Sequence, residues 1–66
     1  MVYINGEQKE NLEGITVEEM VVREGFQKNR IAIEINGVIV SKQSYQEITL
    51  HPDDEIEVVS FVGGGC

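Results

Sequence analysis

The sequence predicts an α+β fold in which a mixed sheet of four to five strands packs on a single helix. Two observations carry this. Asn-Gly dipeptides at Asn5-Gly6 and Asn36-Gly37 each separate a pair of short strand-like runs, and one amphipathic stretch lies between the two pairs. A further alternating run, Glu55 to Val62, follows the second pair and supplies the last strand.

Each element has its own signal. Val2 and Ile4 face one way and Tyr3 the other. Asn5-Gly6 suits a two-residue hairpin turn, because both central positions need positive φ. A return strand is expected over Glu7 to Leu12, with Glu13-Gly14 closing the hairpin. Thr16-Val17-Glu18-Glu19 reads as a capping box, in which Thr16 accepts from the Glu19 N–H and the Glu19 carboxylate reaches back to the Thr16 N–H. Val17, Met20 and Val21 fall at i, i+3, i+4 and form one apolar stripe. Gly25 is placed to end this helix, with Phe26 tucked under it. Arg30 to Ile35 alternates, with Ile31, Ile33 and Ile35 inward. Asn36-Gly37 then turns the chain into Val38-Ile39-Val40. Ser41 to Gln46 is polar and irregular, Glu47 to Leu50 is a short strand or extended piece, and His51-Pro52-Asp53-Asp54 is a turn. In the last strand Ile56 and Val58 share one face, Val59 and Phe61 the other. The expected core is Val2, Ile4, Val17, Met20, Val21, Ile31, Ile33, Ile56 and Val58.

Composition narrows the function. A chain of 66 residues makes one domain, and a domain this small buries only about 60% of its unfolded surface. A deep enclosed active site is hard to build at that size, so a larger partner would have to supply one. No apolar run approaches the length of a membrane span, and the N-terminal residues lack a charged segment followed by an apolar one. A cytoplasmic protein without membrane contact is therefore expected. Twelve acidic residues against five basic give a net charge of -7. That excess opposes nucleic-acid binding, where a basic stripe is the usual footprint, and it suits either solubility or steering toward a basic partner.

Catalytic groups are sparse. One Cys and one His exclude an internal disulfide and a thiolate-rich zinc site. His51, beside Pro52, reads as a turn residue. Glu18 and Glu19 point about 100° apart on the helix and do not face each other. Asp53-Asp54-Glu55 is explained by turn chemistry. Nothing here would activate a nucleophile, so a stand-alone enzyme is not expected.

The unusual feature is Gly63-Gly64-Gly65-Cys66, directly after a strong strand. Terminal residues commonly fray. Equally, a backbone without Cβ atoms is thin enough to thread a narrow channel in another protein, with a carboxylate as the reactive group at its end. The residues alone leave both readings open, and both expect a mobile tail.

Several segments are similar to the ThiS family, sulfur carriers of thiamine biosynthesis related to ubiquitin. They are Ile4-Asn5-Gly6-Glu7, Gly14-Ile15-Thr16-Val17, Ile31 to Gly37, Val38-Ile39-Val40, Ser44-Tyr45 and Ile56 to Gly65. The resemblance covers nearly the whole chain, and Phe61-Val62-Gly63-Gly64-Gly65 is its most specific part. It implies a ubiquitin-like β-grasp domain over residues 1–62 and a flexible glycine tail over 63–66. It further implies that an E1-like adenylating enzyme uses ATP to activate the terminal glycine carboxylate, with no cofactor held permanently by the carrier. A sulfur-donor enzyme then provides for a thiocarboxylate, which thiazole synthase consumes in building the thiazole ring. By this resemblance Gly65 carries the sulfur, Gly63 and Gly64 lie in the partner's channel, and Phe61 and Val62 dock the partner; Val59, on the same face as Phe61, is expected to extend that docking surface as an apolar patch beside the reactive end. For Phe61, a place in the core is the competing reading. A carrier for another pathway (molybdopterin, cysteine or tRNA thiolation) and a ubiquitin-like protein modifier also stay open, although the Phe-Val-Gly-Gly-Gly ending favours thiamine.

One departure stands out. The family ends at its glycine, whereas Cys66 follows Gly65 here and locks its carboxyl in a peptide bond. Removal of Cys66 by a C-terminal processing protease, an engineered residue and a genuine terminus are the three readings.

Overall fold

The computed structural model describes residues 1–61. Its elements are β1 (Val2–Ile4), β2 (Glu7–Lys9), α1 (Val17–Glu24), β3 (Ile31–Ile35), β4 (Val38–Val40) and β5 (Glu55–Ser60). The five strands form one mixed sheet in the order β2-β1-β5-β3-β4. β1 and β5 run parallel in the middle, while β2, β3 and β4 pair antiparallel to their neighbours. This is the ubiquitin-like β-grasp.

The two Asn-Gly turns form as expected, with positive φ at Asn5, Gly6, Asn36 and Gly37. α1 starts at the predicted cap, where the Glu19 N–H donates to Thr16 Oγ1 at 3.1 Å. The reciprocal arm of the box does not form, because the Glu19 carboxylate lies 2.8 Å from Arg23 Nη2, one turn on. Gly25 closes the helix in the left-handed region at φ 77°, and the Phe26 N–H donates to the Val21 carbonyl at 3.0 Å. The cap bond alone gives an expected result: Thr16→Ala lowers unfolding free energy by about 1 kcal/mol, measurable by urea titration.

All nine expected core residues are buried. Four more join them: Leu12, Val40, Tyr45 and Leu50. Each comes from a segment with no clean periodicity. β2 stops at Lys9 rather than continuing to Leu12. The ladder ends where Lys9 meets Val2, the first residue of β1, and Asn11 beyond it takes a positive φ of 67° just before the buried Leu12. Residues 47–50 contribute only one bridge, Thr16 to Thr49, beside which Leu50 is buried. Arg30 is not in a strand: Lys28–Arg30 is a 3-10 turn and β3 begins at Ile31. β5 ends at Ser60, short of the expected Val62.

A second 3-10 turn, Lys42–Ser44, delivers Tyr45 into the interior. Lys28 Nζ sits 5.3 Å from its ring centroid and 2.7 Å from Glu18 Oε1. Burial pushes the Tyr45 phenol above its ordinary range. A raised acid pKa means that the fold retains a proton the unfolded chain releases. Stability is therefore unaffected below about pH 10 and falls as pH rises beyond it. Tyr45→Phe should flatten that alkaline limb in a pH series of thermal melts.

Candidate functional site

β5 carries the chain toward its C-terminal end, and asparagine side chains grip its start and its middle. At the start, the Glu55 N–H donates to Asn36 Oδ1 at 3.0 Å, and Asn36 Nδ2 donates to Asp54 Oδ1 at 3.0 Å. Asp54 is buried, and its other oxygen accepts from the His51 N–H at 2.8 Å. Those bonds account for the acidic run as turn chemistry, and His51 itself is exposed. Further along, the Val58 N–H donates to Asn5 Oδ1 at 2.8 Å, and Asn5 Nδ2 donates to the Val58 carbonyl at 3.3 Å. Past Ser60, the Phe61 N–H donates to the Arg30 carbonyl at 2.8 Å, so pairing with the β3 side continues to the last described residue.

With Ile56 and Val58 pointing into the core, Glu55, Glu57 and Val59 face away from the helix. Val59 is 56% and Phe61 51% exposed. Phe61 is therefore not a core residue. The sheet register sets Val59 opposite Ala32, and sets Glu34 opposite both Glu57 and Ile39. Ile39 is 73% exposed. Lys42 Nζ lies 6.0 Å from the Phe61 ring centroid while donating to the Ile31 carbonyl at 2.7 Å, which holds a cation over the aromatic face. The described part of the expected site is thus an exposed apolar strip, Val59 and Phe61, widened by Ala32 and Ile39. Sequence periodicity identified the strip on β5. The contributions from β3 and β4 depend on the register between strands, which alternation within one strand does not reveal. Val62, Gly63, Gly64, Gly65 and Cys66 lie outside the described residues.

Elsewhere the surface offers little chemistry. Among the described residues no three His, Cys, Asp or Glu side chains converge for a metal. An open groove of about 630 Å³ runs between the β1–β2 turn and the end of α1, lined by Ile4, Asn5, Glu7, Lys9, Glu24 and Phe26. Its one cation, Lys9, lies 3.4 Å from both Glu7 and Glu24. The Glu24 carboxylate raises the Lys9 pKa and keeps the ammonium charged, so Lys9 does not act as an amine nucleophile there. No helix among the described residues is long and apolar enough to cross a membrane.

Fold and site together define a β-grasp domain of the ubiquitin-like class, whose last strand leads beside an exposed apolar face toward a glycine run. The family model of the ThiS family matches residues 2–65, and the chain belongs to that family. The Sulfur carrier protein ThiS of Bacillus subtilis is 32% identical over 66 residues, covering 98% of this chain and 100% of that one. A Thiazole synthase of Magnetococcus marinus is 39% identical over 64 residues, covering 97% of this chain but only 20% of that protein. This chain therefore spans about a fifth of such relatives. In structure, the thiamine biosynthesis protein ThiS of Geobacter metallireducens superposes with a TM-score of 0.80 at 24% identity, covering 97% of each chain. That likeness establishes the fold.

Proposed function

We propose that this chain is a sulfur carrier of thiamine biosynthesis in which Gly65 bears the sulfur as a thiocarboxylate. The observation that carries the reading is the placement of β5: its start is held by Asn36 and its middle by Asn5, and the strand leads toward Gly63-Gly64-Gly65. A clamped strand gives a partner a fixed origin from which a thin glycine arm can reach into its active site. The chemistry divides accordingly. A carboxylate is a poor electrophile until it carries a good leaving group. An E1-like adenylating enzyme would attach AMP from ATP and release pyrophosphate, sulfide-level sulfur delivered by a donor enzyme would displace AMP to leave the thiocarboxylate, and thiazole synthase would consume it. None of these steps needs a catalytic side chain on the carrier. Similarity to one fifth of the Magnetococcus thiazole synthase supports thiazole synthase as the sulfur acceptor.

Intact-mass measurement of the protein recovered from its own cells tests this. The expected species ends at Gly65 and shows replacement of one carboxyl oxygen by sulfur in thiamine-starved cells. Recovery only as an isopeptide on lysines of other proteins would favour a protein modifier instead.

Docking is assigned to Val59, Phe61 and Val62, beside the reactive arm. Val59→Ala and Phe61→Ala should each weaken thiazole synthase binding by about 1–2 kcal/mol. Both side chains are more than half exposed, so unfolding free energy should hardly change. Isothermal titration beside a urea melt separates the two effects.

A further inference from the structure

The exposed sheet face changes character in steps along β5. Glu55 and Glu57 come first, and Glu57 lies directly across from Glu34. Val59 follows, across from Ala32. Phe61 is last, beside Arg30 through its backbone bond and under the Lys42 ammonium. The order is therefore acidic, apolar, basic, and the basic end is the one that leads to the glycine tail.

Two features set this face apart from ordinary surface charge. First, like charges directly opposite each other on a sheet are destabilising, yet Glu34 and Glu57 face one another, and neither makes an ion pair among the described residues. Most other charged side chains of the fold are arranged in the opposite sense: Lys9, Arg23 and Lys28 each lie against a glutamate. Second, the cations at the far end, Arg30 and Lys42, form no ion pair with any described carboxylate. In a chain of net charge -7, these two cations stand outside ion-pair distance of every described carboxylate.

We propose that this polarity sets the orientation in which the partner docks. The occupant is the thiazole synthase of the proposed function, on whose docking role this inference rests. Its complementary surface carries Lys or Arg side chains opposite Glu34 and Glu57, an apolar centre over Val59, and a carboxylate opposite Arg30. Docking places a cation between two mutually repelling carboxylates, so the pair that costs the free carrier stability becomes favourable in the complex. An inverted approach brings acid against acid and base against base. Charge complementarity of this kind acts chiefly on association rate and on rejection of wrong orientations. The orientation also matters chemically, because only one end of the face leads into the tail.

The test is stopped-flow association with purified cognate thiazole synthase, run beside thermal melts. Glu34→Gln/Glu57→Gln is expected to melt at the wild-type temperature or above, yet to associate about tenfold more slowly at low salt. The gap should close at about 0.5 M salt, where screening is short-ranged. Arg30→Gln should also slow association, by about threefold. Glu10→Gln/Glu47→Gln removes the same net charge at exposed positions off this face and should stay close to the wild-type rate. If the Glu34/Glu57 variant matches wild type in rate and salt slope, or slows no more than the Glu10/Glu47 control, the orienting role is overturned. The same holds if light scattering shows the wild type paired through this face and the Glu34/Glu57 variant dispersed, since the occupant is then a second copy. A wild-type carrier that does not bind thiazole synthase at all overturns the docking assignment itself, and this inference with it.

Discussion

A chain ending at Gly65 is expected to support ATP–pyrophosphate exchange by the cognate adenylating enzyme, and the chain that carries Cys66 is expected to support none above background. The reason is covalent. Adenylation requires a free carboxylate at the residue that meets the α-phosphate of ATP, and with Cys66 attached the Gly65 carboxyl is an amide. The free carboxylate then sits one residue further on, about 3.5 Å along an extended chain. It also carries a side chain where a channel shaped for glycine leaves no room. Near-attack geometry is unforgiving, since a displacement of about 1 Å costs on the order of a hundredfold in rate. The Cys66 thiol offers no bypass: its attack on the Gly65 carbonyl would yield a thioester by an uphill step from an amide, with no thiocarboxylate formed. Exchange assays on the two chains in parallel decide the matter. Equal exchange by both would mean that Cys66 is a tolerated terminus, and a processing protease would not be needed.

The parts of the fold legible in the sequence are those governed by local chemistry. Asn-Gly turns require positive φ, and Asn5-Gly6 and Asn36-Gly37 form where that requirement places them. The helix cap at Thr16 and the αL stop at Gly25 likewise depend on neighbours only. Tyr45 and Leu12 were not legible. Each lies in a polar segment, and each is buried directly after a local turn, the 3-10 piece at Lys42–Ser44 or the positive φ at Asn11. One residue has no period to detect. For the candidate site the division is similar. Alternation along the last strand separates Val59 and Phe61 from Ile56 and Val58. The confrontation of Glu34 with Glu57 depends on residues 23 positions apart in the chain and on the register that joins them. The role of Asn5 was half visible: its type suits the turn, but its grip on Val58 spans 53 residues of sequence.

That grip yields the second large effect. Asn5→Ala is expected to destabilise the fold by about 3 kcal/mol, the sum of strain and two lost hydrogen bonds. A domain of this size holds about 3–10 kcal/mol in all, so the loss is a large share. The chain leaves β1 at Ile4 and turns away at Asn5-Gly6, just after the Asn5 N–H has donated to the Ile56 carbonyl at 2.8 Å. β5 continues past that point, and its next inward-facing pair of backbone groups, the Val58 N–H and carbonyl, has no β1 backbone to meet. The Asn5 carboxamide takes that place, with one acceptor at 2.8 Å and one donor at 3.3 Å. It acts as a further peptide group and lengthens the parallel ladder by one rung. Alanine removes both partners and must also hold φ near 52°, where an L side chain is strained. Asn5→Gly relieves only the strain and should recover about 1 kcal/mol. Asn5→Asp keeps the acceptor for the Val58 N–H but sets a carboxylate against the Val58 carbonyl, so it should recover one hydrogen bond and not the other. Urea titration of the three variants gives the order, with alanine lowest. Amide exchange at Val58 should quicken beyond the change in global stability, because the lost rung is local. An alanine variant within about 0.5 kcal/mol of wild type would mean that the carboxamide bonds contribute nothing net, and that β5 is held by its backbone pairing with β1 and β3 alone.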